Sequence, residues 1–176
     1  MKPPPVDLVA PPACRFGGFA WIPNEHGEVL TVSANDGEQA GSHRLPGGHA
    51  GEQQSSLVAM VNHVRYETGI TPTPVRLLGT DWVPYSPATP AAMGQYFVYL
   101  CGRVRSLTGV TLPPAAEGTG LELSGYLWQT ADTARHTMRS PQYRRFLGLW
   151  RAWRDGRTTV LHDGPPALSA MATEAL

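Results

Sequence analysis

At 176 residues with 41% hydrophobic content, the chain is long enough to bury one full core without disulfide or metal staples. Fourteen basic and fourteen acidic residues cancel and the pI is near 7, which leaves no electrostatic footprint for nucleic acid or an anionic membrane. No apolar run reaches the length of a membrane-spanning helix. Cys14 and Cys101 lack metal-type spacing and read as buried free thiols. Prolines and Asp7 interrupt the apolar content of MKPPPVDLVAPPAC, so it does not resemble a secretory signal, and a cytoplasmic protein is expected.

Residues 1–13 are rich in proline and read as an extended arm. CRFGGFAWI (14–22) predicts a strand, with two glycines that permit close approach of another backbone or a ligand. After a turn at Asn24 to Gly27, GEVLTVSA predicts a second strand. A loop, NDGEQAGSH, leads through HRLPGG to a helical period over 54–68, in which Leu57, Val61, Val64 and Thr68 line up as a core stripe. Gly69 stands where a helix stop belongs. Three strand-like runs follow, at 75–85, 95–104 and 121–128, separated by breaker-rich loops. A short helix near 131–138 and a longer one over 141–154 come next, the latter with Tyr143, Phe146, Leu147, Trp150 and Trp153 toward the core. The domain is expected to span 14–162, with 163–176 a mobile tail.

Residues 45–70, LPGGHAGEQQSSLVAMVNHVRYETGI, carry the most information. Aligned without a gap to the signature G-x5-E-x7-R-E-U-x-E-E-x-G-U, Gly48, Val64, Glu67, Gly69 and Ile70 match, while Gln54, Asn62, His63 and Tyr66 replace the remaining fixed positions. The frame resembles the box of the Nudix superfamily, with three of its four glutamates replaced. This resemblance implies an α/β/α sandwich with a mixed sheet, which the element order also fits. In the family, the box glutamates hold Mg²⁺ or Mn²⁺ on a diphosphate, because a hard cation needs oxygen ligands.

The replacements weaken that chemistry. Gln54 has no charge, and imidazole at His63 is a poor magnesium ligand. A thin metal site is conceivable from Glu67 with Glu52 and Glu122, and Glu117 is a further loop candidate; surface acids are the plain alternative. The substitutions also place Ser56, Met60, His63 and Glu67 along one flank of the helix. His63 and Glu67, one turn apart, are expected to act as an acid/base pair, with Tyr66 as a nearby proton donor; a surface ion pair is the plain alternative. Arg44, Gly48 and His49 are candidates for substrate binding, Gly47 and Gly48 allowing the turn that brings loop amides near a ligand. Trp82 and Tyr85 are candidates for an aromatic wall over the cleft.

The leading expectation is a repurposed Nudix-fold enzyme in specialised metabolism. It would perform metal-independent proton transfer, cyclisation, isomerisation or hydrolysis on a small metabolite, without a cofactor. A divergent Mg- or Mn-dependent hydrolase of a nucleoside diphosphate derivative is the alternative. A non-catalytic module that binds a nucleotide or metabolite is the third reading. A homodimer is compatible with the resemblance.

Overall fold

Strand β1 (Cys14–Trp21) lies between two hydrophobic layers, and the rest of the domain is arranged around it. The computed structural model describes residues 13–34, 41–86, 92–113 and 123–167. In chain order the remaining elements are β2 (Val29–Ala34), β3 (His43–Arg44), β4 (Gly47–His49), α1 (Ser56–Thr68), β5 (Pro74–Val83), β6 (Met93–Cys101), β7 (Leu123–Gln129), α2 (Ala131–Thr137), α3 (Ser140–Arg154) and β8 (Thr159–His162).

Five strands form a mixed sheet in the order β4-β1-β6-β5-β8, and a smaller antiparallel sheet runs β3-β2-β7. The β1–β6 and β5–β8 pairs are parallel; β1–β4 and β5–β6 are antiparallel. Alternation along β1 sends Ala20 and Ile22 to the layer under α1, with Met60 and Val64, and sends Trp21 to the layer under α3. Trp21 meets Phe146 at a ring separation of 4.9 Å and Trp153 at 5.8 Å. Such aromatic pairs contribute about 0.5–1.5 kcal/mol beyond their buried area. The expected α/β/α sandwich with a mixed sheet is therefore present. No helix of the described residues is long and apolar enough to cross a membrane.

Local signals set the ends of α1. Ser55 caps the first turn by accepting from the Val58 amide, and Gly69, at φ +70°, donates its amide to the Arg65 carbonyl. Gly18 seats the helix start on β1, since a Cβ there would lie 1.8 Å from the Ser56 carbonyl oxygen.

The buried face of α1 differs from the expected stripe. Ala59, Met60, Val64, Glu67 and Thr68 face inward, while Leu57 is 39% exposed. The helix is turned so that Met60 and Glu67, expected on an open flank, pack against the sheet. In α3, Leu149 is buried along with Phe146, and Leu147 is only half-buried.

β8 has no counterpart in the sequence expectations. It pairs in parallel with β5, and the chain after it stays engaged: the Gly164 amide donates to Asp81 and the Asp163 amide to the Trp82 carbonyl. Residues 163–166, expected as the start of a mobile tail, are thus tied to β5 and β8. Asp81 is fully buried and also accepts from Arg145 Nε at 2.6 Å, which fastens α3 to β5.

Candidate functional site

The site is assembled where β3, β4 and α1 meet. Gly47 has φ +134°, a conformation that side chains rarely adopt, and a Cβ there would come within 2.3 Å of the Gly18 carbonyl oxygen. With no side chain in the way, β4 lies tight against β1, and its amides and carbonyls are presented to α1. Gly48 opens the opposite side: a Cβ there would sit 2.6 Å from the His63 ring.

Glu67, the one retained carboxylate of the box pattern, is 2% exposed. Its Oε1 accepts from Arg44 Nη2 at 2.7 Å and its Oε2 from the Gly47 amide at 2.7 Å. Arg44 Nη1 donates in turn to the Gly47 carbonyl at 3.0 Å and, less closely, to the Leu45 carbonyl at 3.4 Å. Burial pushes the Glu67 carboxyl above its ordinary range, outweighing the Arg44 charge and the Gly47 hydrogen bond.

His63 is held elsewhere. Its Nε2 lies 3.0 Å from the His49 carbonyl oxygen, so the expected hydrogen bond between His63 and Glu67 is replaced by one to β4. Glu67 is turned into the interior toward Arg44 and the Gly47 amide, while the His63 ring lies against β4 near the surface. A carbonyl only accepts, hence Nε2 carries the proton in the neutral ring and Nδ1 is left as an acceptor.

Beyond His49, a cavity of about 570 Å³ opens at the start of β1. Its lining includes Arg15, Phe16, His49, Glu52 and Gln54. Arg15 is anchored through Nε to the Ala92 carbonyl at 2.6 Å, and its two terminal nitrogens have no partner among the described residues. Phe16 is 50% exposed. The His49 ring lies 5.7 Å from that of Tyr96, over which the Arg145 guanidinium sits at 5.3 Å. Burial, then the charges of Arg15, His63 and Arg44, hold the His49 imidazole below the ordinary histidine range.

Arg44, Gly48, His49, His63 and Glu67 are brought together. Tyr66 is 53% exposed on the outer side of α1. Trp82 is half-buried opposite Gln95 and His162, three strand spacings or about 14 Å from β4, and Tyr85 is 58% exposed beyond it. These two lie away from β4; Phe16 lines the cavity beside His49, and Tyr96 is in ring contact with His49. Arg15, Phe16 and Tyr96 were missed, although the glycine pair beside Arg15 and Phe16 already pointed to close approach on that strand.

Among the described residues, the carboxylates do not assemble a divalent-ion site. Both Glu67 oxygens are engaged, Glu52 is exposed in the turn before α1, and Glu117 and Glu122 lie outside the described residues. Among the described residues, no three His, Cys, Asp or Glu side chains converge on a common point.

Several solved structures are similar. A MutT protein from Methanosarcina mazei matches with a TM-score of 0.62 and 24% identity, over 84% of this chain and 98% of that one. A MutT Nudix hydrolase from Burkholderia pseudomallei matches at 0.59 and 20%, over 78% and 96%. An ADP-ribose pyrophosphatase from Streptococcus suis matches at 0.55 and 20%, over 84% and 98%. No protein-family model and no curated protein matches the sequence. Along most of its length, the chain is built on the Nudix fold.

Proposed function

We propose that this protein is a Nudix-fold enzyme that performs acid/base chemistry on a small metabolite with an acidic group, and that it does so without a divalent ion on the box residues. The observation that carries the reading is the hydrogen bond of His63 to the His49 carbonyl. It orients the imidazole and leaves Nδ1 as the proton acceptor, the arrangement general-base chemistry needs. Arg15 in the adjoining cavity supplies a planar fork for a carboxylate or phosphate, and Phe16 an apolar surface for the rest of the molecule. Glu67 serves as a positioning residue: it holds Arg44 and β4 in place, and its charge acts on His63 through space.

The test is depletion of a metabolite extract by the purified protein in chelator, followed by mass spectrometry, with wild type beside His63→Ala. A compound consumed by the wild type only is the expected result. A parallel panel of nucleoside diphosphate derivatives with Mg²⁺ or Mn²⁺ addresses the second reading, a metal-dependent hydrolase. That reading is favoured by the similarity to an ADP-ribose pyrophosphatase, and it requires Glu52 and Glu122 to join Glu67. Metal-dependent cleavage at about 1 s⁻¹ or faster would overturn the metal-free proposal. Binding of a metabolite without its conversion would indicate a non-catalytic module.

A further inference from the structure

Arg44, Glu67 and Gly47 form a closed ring of hydrogen bonds: guanidinium to carboxylate, guanidinium to carbonyl, and amide to carboxylate. The guanidinium thereby spans one carboxylate oxygen and one backbone carbonyl oxygen, a pair that a hard divalent cation would seek. Three of its five N–H groups are used, on Glu67, Gly47 and Leu45. Nε–H and the second Nη2–H have no partner among the described residues. These two share one edge of the guanidinium, and the side chain is 24% exposed. A fork of this shape matches two oxygens of a carboxylate or phosphate.

We propose that the Arg44 guanidinium is the resident cation of this site: it is seated on Glu67 and the Gly47 carbonyl in place of a divalent ion, and it offers its open edge to an oxyanion of the ligand beside His63. The inference rests on the metal-free reading above and names what replaces the ion. A covalently attached cation needs no recruitment from solution, and chelators do not remove it. The substitution is also asymmetric. A metal ion activates bound water, whereas a guanidinium does not, so proton transfer falls to a side chain, for which His63 is placed.

Two measurements on the full chain decide this. Electron paramagnetic resonance of added Mn²⁺ is expected to show no bound ion dependent on Glu67. Inorganic phosphate, titrated in chelator and followed by the Gly47 amide and His63 ring resonances, is expected to bind. Added Mn²⁺ should leave that affinity unchanged. Arg44→Lys, which keeps the charge and loses the fork, should weaken phosphate binding about tenfold, equivalent to about 1.4 kcal/mol.

Mn²⁺ bound by the wild type and lost in Glu67→Gln would overturn the proposal. So would phosphate that binds only with Mn²⁺ or not at all, or an Arg44→Lys protein that binds it as well as wild type. Should Arg44→Lys fail to fold, the wild-type measurements still decide. His63→Ala separates this inference from the proposed function: it should abolish turnover while leaving phosphate affinity within about threefold. Turnover that survives His63→Ala would overturn the acid/base assignment and leave Arg44 untouched.

Discussion

Arg44 and Glu67 come from elements 23 residues apart in the chain and meet at 2.7 Å, with the carboxylate almost completely buried. Once Glu67 is folded inside, its charge depends on that partner. Arg44→Ala would leave a buried carboxylate uncompensated, a change that costs about 3–5 kcal/mol in comparable pairs. A loss near the lower end is expected because Arg44 keeps some contact with water. Denaturant unfolding measures it, and a loss within 0.5 kcal/mol, about the level of an ordinary surface substitution, would show that the pair does not support the fold.

The same pair gives stability a distinctive pH dependence. Glu67 titrates above its ordinary value of 4.5 in the folded state, chiefly because it is buried. A raised acid takes up its proton more readily folded than unfolded. Its contribution is therefore fully present below the ordinary value and is lost as pH rises through the folded value. Between those two points, wild-type melting temperature should decline relative to that of Glu67→Gln. Parallel curves for the two proteins would contradict the assignment.

Gly48 and His63 are matched surfaces. An added Cβ at Gly48 would come within 2.6 Å of the ring, too close for both groups to stay in place. Gly48→Ala should displace His63 from the His49 carbonyl and lower turnover at least tenfold, while overpacking costs about 1–3 kcal/mol. The His63 ring resonances would report the displacement directly. Unchanged resonances with full activity would mean that His63 does not depend on this geometry.

The two thiols should separate chemically. Cys101 is 2% exposed, and burial pushes its pKa up to about 12, so little thiolate forms at neutral pH. Cys14 is half-buried at the mouth of the cavity. Iodoacetamide is expected to label Cys14 first and to reach Cys101 only on unfolding, as peptide mass mapping would show. Early labelling of Cys101 would mean that the layer under α1 opens readily.

What the sequence determined by itself was the frame. The box spacing carried the fold, and the C-terminal end of α1 was legible because a cap is local: Gly69 acts on a carbonyl four residues before it, whereas the Ser55 cap at the start of α1 emerged only from the structure. Short-range patterning likewise located β1, β2, α2 and α3. β8 was not legible, since four residues with no alternation become a strand only by pairing in parallel with β5, far away in the chain.

The meaning of Glu67 and His63 was decided by tertiary structure alone. Helical spacing placed them one turn apart and suggested a shared hydrogen bond. The glycines of β4 let that strand approach closely enough for Gly47 and Arg44 to engage the carboxylate first and for the His49 carbonyl to take the imidazole. A carboxylate forms its strongest bonds with whichever donors the fold brings to it in a water-poor setting, and the spacing of residues along one helix does not contain that information.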